Sequence, residues 1–254
     1  MALELLLIGI GTGNPNHVTA EAVQQLQRAD VILVPKKGSA KSDLADLRHQ
    51  ICDKVLGDAR PLTLEFDLPT RNPDKAYSEA VNDWHDAIAF VWQDTLDIAE
   101  KTLGRKPSIA ALLIWGDPGL YDSSLRIAAR LTPKAEITVV PGITSIQALT
   151  AAHHIPLNEL GAPFMITTGR QLRDGGFPLG TDTAVIMLDG ECSFTCLDAG
   201  AFDIWWGAYL GMENQILCSG QLSDVSDKII SLRASARAEH GWIMDSYLLR
   251  QRQN

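Results

Sequence analysis

Two side chains that could bind or react with a ligand follow an apolar run near the middle of the chain. Residues 109–114 are typical of a buried β-strand, and residues 115–123 contain Gly116, Asp117 and Tyr121. In an open α/β sheet, ligands bind just beyond the carboxyl ends of the strands. A carboxylate and a phenol in a glycine-containing turn at this position therefore predict a ligand-binding loop.

A second glycine-rich segment, residues 9–15, reads Gly-Ile-Gly-Thr-Gly-Asn-Pro. It does not match the dinucleotide fingerprint, which requires a glycine where Asn14 stands and a helix that begins at once, whereas the next helix is expected near Thr19. The acidic residue expected after the second strand is replaced by Lys36 and Lys37. A P-loop motif is also absent from the sequence. An ordinary strand-to-helix turn remains the alternative for this segment taken alone.

A third turn, residues 140–145, reads Val-Pro-Gly-Ile-Thr-Ser and also follows an apolar strand. All three loops follow strands of the same predicted sheet. Because parallel strands end at the same edge of a sheet, the three loops should open on that edge. Together they predict one binding site.

The first half of the chain alternates strand and helix patterns, which predicts a mostly parallel sheet with right-handed crossovers. Thr19 is a candidate N-cap, and Pro35 is expected to end the second strand. Predicted strands cover residues 3–10, 31–34, 62–66, 109–115 and 137–140, and predicted helices cover residues 19–29, 42–55, 75–103 and 123–131.

The second half contains more strands and fewer helices, which predicts a second α/β domain with a smaller, mixed sheet. We place the domains at residues 1–154 and 155–254 and expect the active site in the cleft between them. The first domain would have a Rossmann-like sheet. After a helix at 145–153, predicted strands cover residues 164–168, 184–188, 204–209, 215–218 and 241–249.

These loops, in this order, resemble the tetrapyrrole (corrin/porphyrin) methylase family, and the resemblance spans nearly the whole chain. In that family the first loop usually reads G-x-G-P-G-D-P, the second contains G-D-P, and the third reads V-P-G-[IV]-[ST]-S. Thr12 and Asn14 depart from the first pattern. Residues 114–123, 166–170 and 187–190 resemble a branch of the family that works in cobalamin biosynthesis.

The resemblance implies an S-adenosylmethionine-dependent enzyme that methylates precorrin-5 at C-1, with loss of acetate, and releases precorrin-6A and S-adenosylhomocysteine. It also implies a homodimer. Methyl transfer to an electron-rich ring carbon needs in-line alignment more than a strong base, so rigid loops suit this chemistry.

The resemblance also suggests site residues. Asp117 and Tyr121 are expected to be catalytic, although Asp117 could instead cap the following helix. The apolar cofactor contacts could instead be ordinary core residues. The expected cofactor contacts are Gly11, Pro15, Gly116, Asp117, Tyr121, Ser123, Thr144, Ser145, Leu188, Ala208 and Tyr209. Lys36, Lys37, Arg170 and Arg173 are expected to bind the substrate's carboxylates, with solvated surface charge as the alternative.

Acetate loss requires a base and a group that stabilises an oxyanion. The sequence has no G-x-S-x-G motif, which argues against a serine-hydrolase mechanism. His17, Tyr121 and Asp122 could assist, and hydrogen bonding within the loop is the alternative for His17.

The composition and charge argue against some classes of binding partner. A net charge of −9 and a pI near 5.1 argue against nucleic acid, and therefore against the ribosomal RNA methyltransferases that share the expected fold. The sequence shows no secretion signal, no membrane-spanning apolar run and no metal-ligand spacing. Its four cysteines should be buried free thiols, so we expect a cytoplasmic protein that acts on a small molecule.

Three alternative functions remain open at this point. One is a tetrapyrrole methylase that acts at another ring carbon. The second is a ribosomal RNA methyltransferase, against which the net charge counts. The third is a non-enzymatic module that binds NADP through Lys36 and Lys37.

Overall fold

The computed structural model describes residues 2–36, 42–72 and 74–252. The chain divides into two units, Met1–Thr144 and Ser145–Asn254, and each contains a five-stranded sheet. The α/β fold with one parallel and one mixed sheet confirms the predicted fold class.

All strands of the first sheet are parallel, and their order is β3-β2-β4-β1-β5. The three predicted binding loops follow β4, β1 and β5, which are direct neighbours. The adjacent strands therefore deliver the three loops side by side. The strands are β1 (Glu4–Gly9), β2 (Val31–Lys36), β3 (Leu62–Asp67), β4 (Ile109–Ile114) and β5 (Glu136–Val140).

Helices cover both faces of this sheet. Successive side chains of a strand point to opposite faces, so alternate strand residues are buried against different helices. Leu5 and Leu7 pack in the cluster that includes α3, whereas Leu6 and Ile8 pack in the cluster that includes α1 and α2. Thr19 Oγ1 accepts a hydrogen bond from Ala22 N (3.1 Å), as its predicted capping role requires. The helices are α1 (Ala20–Arg28), α2 (Ser42–Leu56), α3 (Tyr77–Leu103) and α4 (Ser124–Ala128).

The ends of β2 and α4 differ from the predictions for physical reasons. The strand β2 continues through Pro35 to Lys36, since its pairing with β4 stops at Leu33 while its pairing with β3 continues. Proline is tolerated where one side of a strand needs no ladder hydrogen bond. The helix α4 is shorter than predicted because the next turn switches to i→i−3 bonds, such as Arg130 N to Ile127 O (2.9 Å).

The second sheet has the order β6-β7-β10-β8-β9, and only its first pair is parallel. Its core is built on large buried rings, including Phe194, Trp206 and Tyr247. The sequence did not predict the long helix α7. The elements are α5 (Ser145–His153), β6 (Met165–Thr168), α6 (Gly169–Gly175), β7 (Thr183–Met187), β8 (Phe202–Ala208), β9 (Ile216–Gln221), α7 (Leu222–His240) and β10 (Asp245–Gln251).

The division into units falls before α5, whereas the sequence placed the domain boundary after it, between residues 154 and 155. The difference has a packing reason. The helix α5 contacts β8, β9 and β10 of the second sheet, so it is part of that unit's core. In the part of the chain that the structure describes, no helix is long and apolar enough to cross a membrane.

Candidate active site

Three glycines bring the loops after β1, β4 and β5 into direct backbone contact. A Cβ atom added to Gly142 would lie 2.1 Å from Gly116 O and 2.7 Å from Gly9 C. Added to Gly9, it would lie 2.5 Å from Gly142 N. Because no side chain fits at Gly9 or Gly142, glycine is required at both positions, and their backbones lie close together.

The first and second loops are also joined by an isolated antiparallel bridge between Gly11 and Gly116. Gly116 N donates to Gly11 O at 2.8 Å. Both residues have positive φ, +76° at Gly11 and +63° at Gly116, a conformation that glycine adopts without strain. Thr144 also packs against Gly116: its Cα would lie 3.5 Å from a Cβ added there. The three loops thus form a single assembly, which we call the glycine loops: residues 9–15, 116–123 and 140–144.

The Asp117 carboxylate connects two of the glycine loops. Its Oδ1 accepts from Gly119 N at 2.7 Å, and its Oδ2 accepts from Gly142 N at 3.0 Å. The helix-capping alternative is wrong for this residue, because Asp122 Oδ1 accepts from Ser124 N (2.6 Å) at the start of α4. The contacts of Asp117 stabilise the loop geometry and leave room for further acceptance, since each carboxylate oxygen has two lone-pair directions.

Tyr121 is exposed and has a φ of +50°, an unusual backbone conformation for a bulky residue. Partial desolvation raises the pKa of its phenol, which is therefore a neutral hydrogen-bond donor at physiological pH. Ser123 is partly buried and directly precedes α4. Thr144 is buried at the end of the third loop, and Ser145 is the first residue of α5.

The first loop makes a short 3₁₀ turn at Pro15–His17 before α1 begins. Asn14 Oδ1 accepts from Asn16 N at 2.9 Å, so an amide performs the capping here. Thr12 Oγ1 and His17 Nδ1 lie 3.2 Å apart in a hydrogen bond.

Sequence reasoning missed Arg48, a buried residue of α2. Its Nε donates to Leu113 O at 3.2 Å, and its guanidinium lies 4.8 Å from the centre of the Trp115 ring. Burial lowers the pKa of Arg48 to about 10, and the charge of Asp122 opposes that shift. The available signal was a single cation on an otherwise apolar helix face, three residues after Ala45 and before Ile51.

In the second unit, the predicted cofactor contacts lie where β7 and β8 end. Leu188 follows β7, is 67% exposed and has a φ of +54°. Ala208 and Tyr209 are buried, and Tyr209 has a φ of +50°. The Tyr209 phenol donates to Trp242 O at 2.5 Å, so its side chain belongs to the core and only its backbone could meet a ligand.

A buried polar network supports the loop that contains Leu188. The carboxylate of Asp189 accepts from Ser193 N (2.6 Å), Ser193 Oγ (2.8 Å) and the Tyr247 hydroxyl (2.6 Å). Arg233 donates to the backbone oxygen of Asp189 at 3.0 Å and forms an ion pair with Asp245 at 3.0 Å. We call these residues the Asp189 network.

The cations predicted to bind substrate are distributed over both units. Lys36 forms a 3.0 Å ion pair with Glu65, which raises the pKa of the lysine. Arg173, in α6, pairs with Glu191 at 2.7 Å. Arg170 is exposed in the same helix. Lys37 lies outside the described residues.

The cysteines are free thiols, as predicted, but they are not all buried: Cys52 and Cys218 are buried, Cys192 is partly buried and Cys196 is exposed. Within residues 2–36, 42–72 and 74–252, no cluster of three or more His, Cys, Asp or Glu side chains could hold a metal ion.

The family model of the Tetrapyrrole (Corrin/Porphyrin) Methylases matches residues 4–226 of this chain. The chain belongs to the tetrapyrrole methylase family. The family predicted from the glycine loops in the sequence is therefore confirmed. Members of this family use S-adenosylmethionine as the methyl donor.

Among curated relatives, the chain is 45% identical to the precorrin-6A synthase [deacetylating] of Sinorhizobium sp, over 98% of this chain and 95% of that one. It is 29% identical to the precorrin-2 C(20)-methyltransferase of Sinorhizobium sp, over 73% of this chain and 74% of that one. The match to a tetrapyrrole methylase of cobalamin biosynthesis thus extends over nearly the full length of both chains.

Among solved structures, the cobalamin synthesis related protein CobF of Corynebacterium diphtheriae is 34% identical, with a TM-score of 0.78 over 98% of this chain and 99% of that one. The uroporphyrin-III C-methyltransferase of Thermus thermophilus complexed with S-adenosyl homocysteine is 16% identical. Its TM-score is 0.58 over 97% of each chain, which shows a shared fold.

Proposed function

We propose that this tetrapyrrole methylase transfers a methyl group from S-adenosylmethionine to C-1 of precorrin-5, with loss of acetate, and forms precorrin-6A. The observation that carries this proposal is the 45% identity to a precorrin-6A synthase over 98% of the chain. The glycine loops support it, because they provide a preorganised backbone surface on adjacent strands.

The glycine loops fit the methyl donor. Gly9 and Gly142 let the three loops pack backbone against backbone, which would hold the loop peptide groups rigidly for the cofactor. Asp117 could attract the cofactor's positive groups while it stabilises two of the loops. S-adenosylmethionine supplies the electrophilic methyl group. The residues proposed to hold it in the first unit are Gly11, Pro15, Gly116, Asp117, Tyr121, Ser123 and Thr144.

In the second unit, we propose Ser145, Leu188, Ala208 and Tyr209 as further cofactor contacts. For Tyr209 the contact would involve backbone groups, because its phenol already bonds to Trp242 O. The positive φ of Leu188 and Tyr209 supports this assignment, since unusual backbone conformations cluster at ligand sites.

Asp117 and Tyr121 are the proposed catalytic residues. The neutral phenol of Tyr121 would donate to an oxygen of the substrate, and the charge of Asp117 would help to position the methyl donor. Lys36, Lys37, Arg170 and Arg173 are the proposed partners of the substrate's carboxylates. Lys36 and Arg173 would have to exchange their present ion pairs for such contacts.

We also propose a cytoplasmic homodimer, and we propose that the two domains placed by the sequence at residues 1–154 and 155–254 correspond to the two units. The free thiols of the four cysteines support a reducing compartment. Light scattering on the purified protein tests the dimer, and a monomeric mass at micromolar concentration would contradict it.

The decisive experiment incubates the purified chain with precorrin-5 and S-adenosylmethionine and follows the product by mass. Gain of a methyl group together with loss of the acetyl group is the expected result. Methyl gain with retention of the acetyl group would indicate action at another ring carbon. Tight binding of NADPH without binding of S-adenosylhomocysteine would overturn the methyltransferase assignment.

A further inference from the structure

The short 3₁₀ turn at the end of the first glycine loop contains an imidazole, His17, that is not among the proposed cofactor contacts. His17 packs against Gly11: a Cβ added to this glycine would lie 2.6 Å from His17 Cβ. Gly11 is in turn bridged to Gly116 of the second loop. The histidine is therefore attached to the backbone assembly that is proposed to hold the methyl donor.

The ring of His17 is held at one nitrogen. Its Nδ1 lies 3.2 Å from Thr12 Oγ1, and within the described residues this is the side chain's one hydrogen bond, so Nε2 makes none there. A Thr12 hydroxyl that accepts from Nδ1–H selects the tautomer with a lone pair on Nε2. Desolvation lowers the pKa of His17, so the ring is neutral at physiological pH.

We propose that His17 is the general base for deacetylation, with Thr12 as its positioning residue. This inference rests on the proposed function, because it assigns the step that accompanies methyl transfer. Base catalysis requires a neutral imidazole with a free ring nitrogen near the reacting groups. His17 is neutral and, within the described part of the chain, has a free ring nitrogen, and its packing against Gly11 places it beside the first glycine loop.

The proposed step is a hydrolysis. His17 Nε2 takes a proton from water as the water oxygen bonds to the acetyl carbonyl carbon. The bond from that carbon to the macrocycle then breaks, and its electron pair stays with the macrocycle. The acetyl group leaves as acetic acid, which ionises to acetate, and the proton on Nε2 returns to solvent. The electron-rich macrocycle is then ready to be methylated.

The test compares His17→Gln with the wild-type chain, using precorrin-5 and S-adenosylmethionine. Glutamine keeps a polar side chain but cannot accept the proton. We expect acetate release to fall about 100-fold or more. We expect the affinity for S-adenosylhomocysteine, measured by calorimetry, to stay within about twofold. The matched control is His154→Asn, since this exposed histidine has a φ of +55°, which asparagine tolerates.

The outcomes separate this inference from the proposed function. If the wild-type chain releases no acetate from precorrin-5, the proposed function fails. If the wild type is active and His17→Gln stays within threefold of it, the function stands and the base assignment is overturned. The base assignment is also overturned if cofactor affinity falls as much as turnover, because His17 would then only support the loop.

Thr12 provides an independent check. Thr12→Val removes the hydroxyl at similar volume and should lower kcat about tenfold, the effect of one neutral hydrogen bond, with KM unchanged. Thr12→Ser keeps the hydroxyl and should restore kcat to within about twofold. Equal losses in the two variants would contradict a positioning role for Thr12.

Discussion

The two units position their strand-end loops by different physical means. In the first unit, backbone meets backbone at Gly9 and Gly142, and the Asp117 carboxylate joins two of the loops. In the second unit, the loop with Leu188 depends on the buried Asp189 network. Close backbone approach needs specific glycines, whereas a buried network needs every polar group satisfied.

This difference teaches where a substitution should act. In the glycine loops, a single added methyl group displaces several backbone segments at once. In the Asp189 network, a lost hydroxyl leaves one hydrogen bond unmade while the packing remains. Disruption of the first unit's loops should therefore reduce ligand binding most, and disruption of the second unit's network should reduce mainly stability.

The largest effect is expected for Gly142→Ala. The new Cβ would lie 2.1 Å from Gly116 O, so the second and third loops must separate. We expect a loss of about 3 kcal/mol in the free energy of unfolding and about 100-fold weaker binding of S-adenosylhomocysteine. Denaturant titration and calorimetry measure the two quantities. Gly175→Ala, where a Cβ meets nothing within 4 Å, is the control and should change neither.

The next largest effect is expected for Asp117→Asn. An amide can accept from only one of the two backbone N–H groups at Gly119 and Gly142, and its own NH₂ would face the other. We expect a loss of about 1–3 kcal/mol in the free energy of unfolding and about tenfold weaker S-adenosylhomocysteine binding. The exposed Asp94→Asn is the control. Unchanged stability would show that the Asp117 contacts contribute little to the loop geometry.

A smaller effect on binding is expected in the second unit. Tyr247→Phe removes the hydrogen bond to Asp189 and should cost about 1–3 kcal/mol of unfolding free energy. Affinity for S-adenosylhomocysteine should change by less than about threefold. A double-mutant cycle with Asp189→Asn should show that the two losses are not additive. A larger loss of affinity than of stability would reverse the contrast between the units.

The smallest effect is expected in the pH dependence of stability. Burial lowers the pKa of His85 in α3, and Arg130 and Arg126 lower it further while Asp86 opposes them. A histidine whose folded pKa lies below its unfolded value of about 6.5 contributes stability above that pH and loses it as the pH falls. The melting temperature should therefore decline below about pH 6.5, and His85→Phe should make this decline shallower. An unchanged slope in the variant would exclude His85 as a cause.

In the second unit, two groups act in opposite directions. Burial lowers the pKa of His153, so its contribution is lost as the pH falls. Burial raises the pKa of Asp245, so the stability linked to its proton is present in acid and is lost as the pH rises.

The glycine loops were predictable because each is a short run of residues with a specific backbone requirement. The strands β1, β2 and β4 of the parallel sheet were predictable for a similar reason, since both of their faces are mostly buried and their apolar runs are continuous. Arg48 was not predicted as a site residue, because a cation in a helix is normally solvated. Its buried position depends on contacts with the Leu113 carbonyl and the Trp115 ring, and both residues are distant from Arg48 in sequence.

The Asp189 network could not be predicted either. Its members Ser193, Arg233 and Tyr247 come from three different segments, and no spacing in the sequence joins them. The sequence also could not predict which unit contains α5. Its pattern predicted a helix at the correct residues, but only its contacts with β8, β9 and β10 assign it to the second unit.

The sequence alone determined the family, the two-sheet α/β fold and the three loops that follow strands of one sheet. These properties follow from local patterns: apolar periodicity, turn chemistry and glycines at positions that tolerate no side chain. The tertiary structure decided how Asp117 is used, which histidine nitrogen is held by Thr12, and how Leu188 is supported. Those features depend on contacts between segments far apart in the chain, which become specified only when the sheets pack.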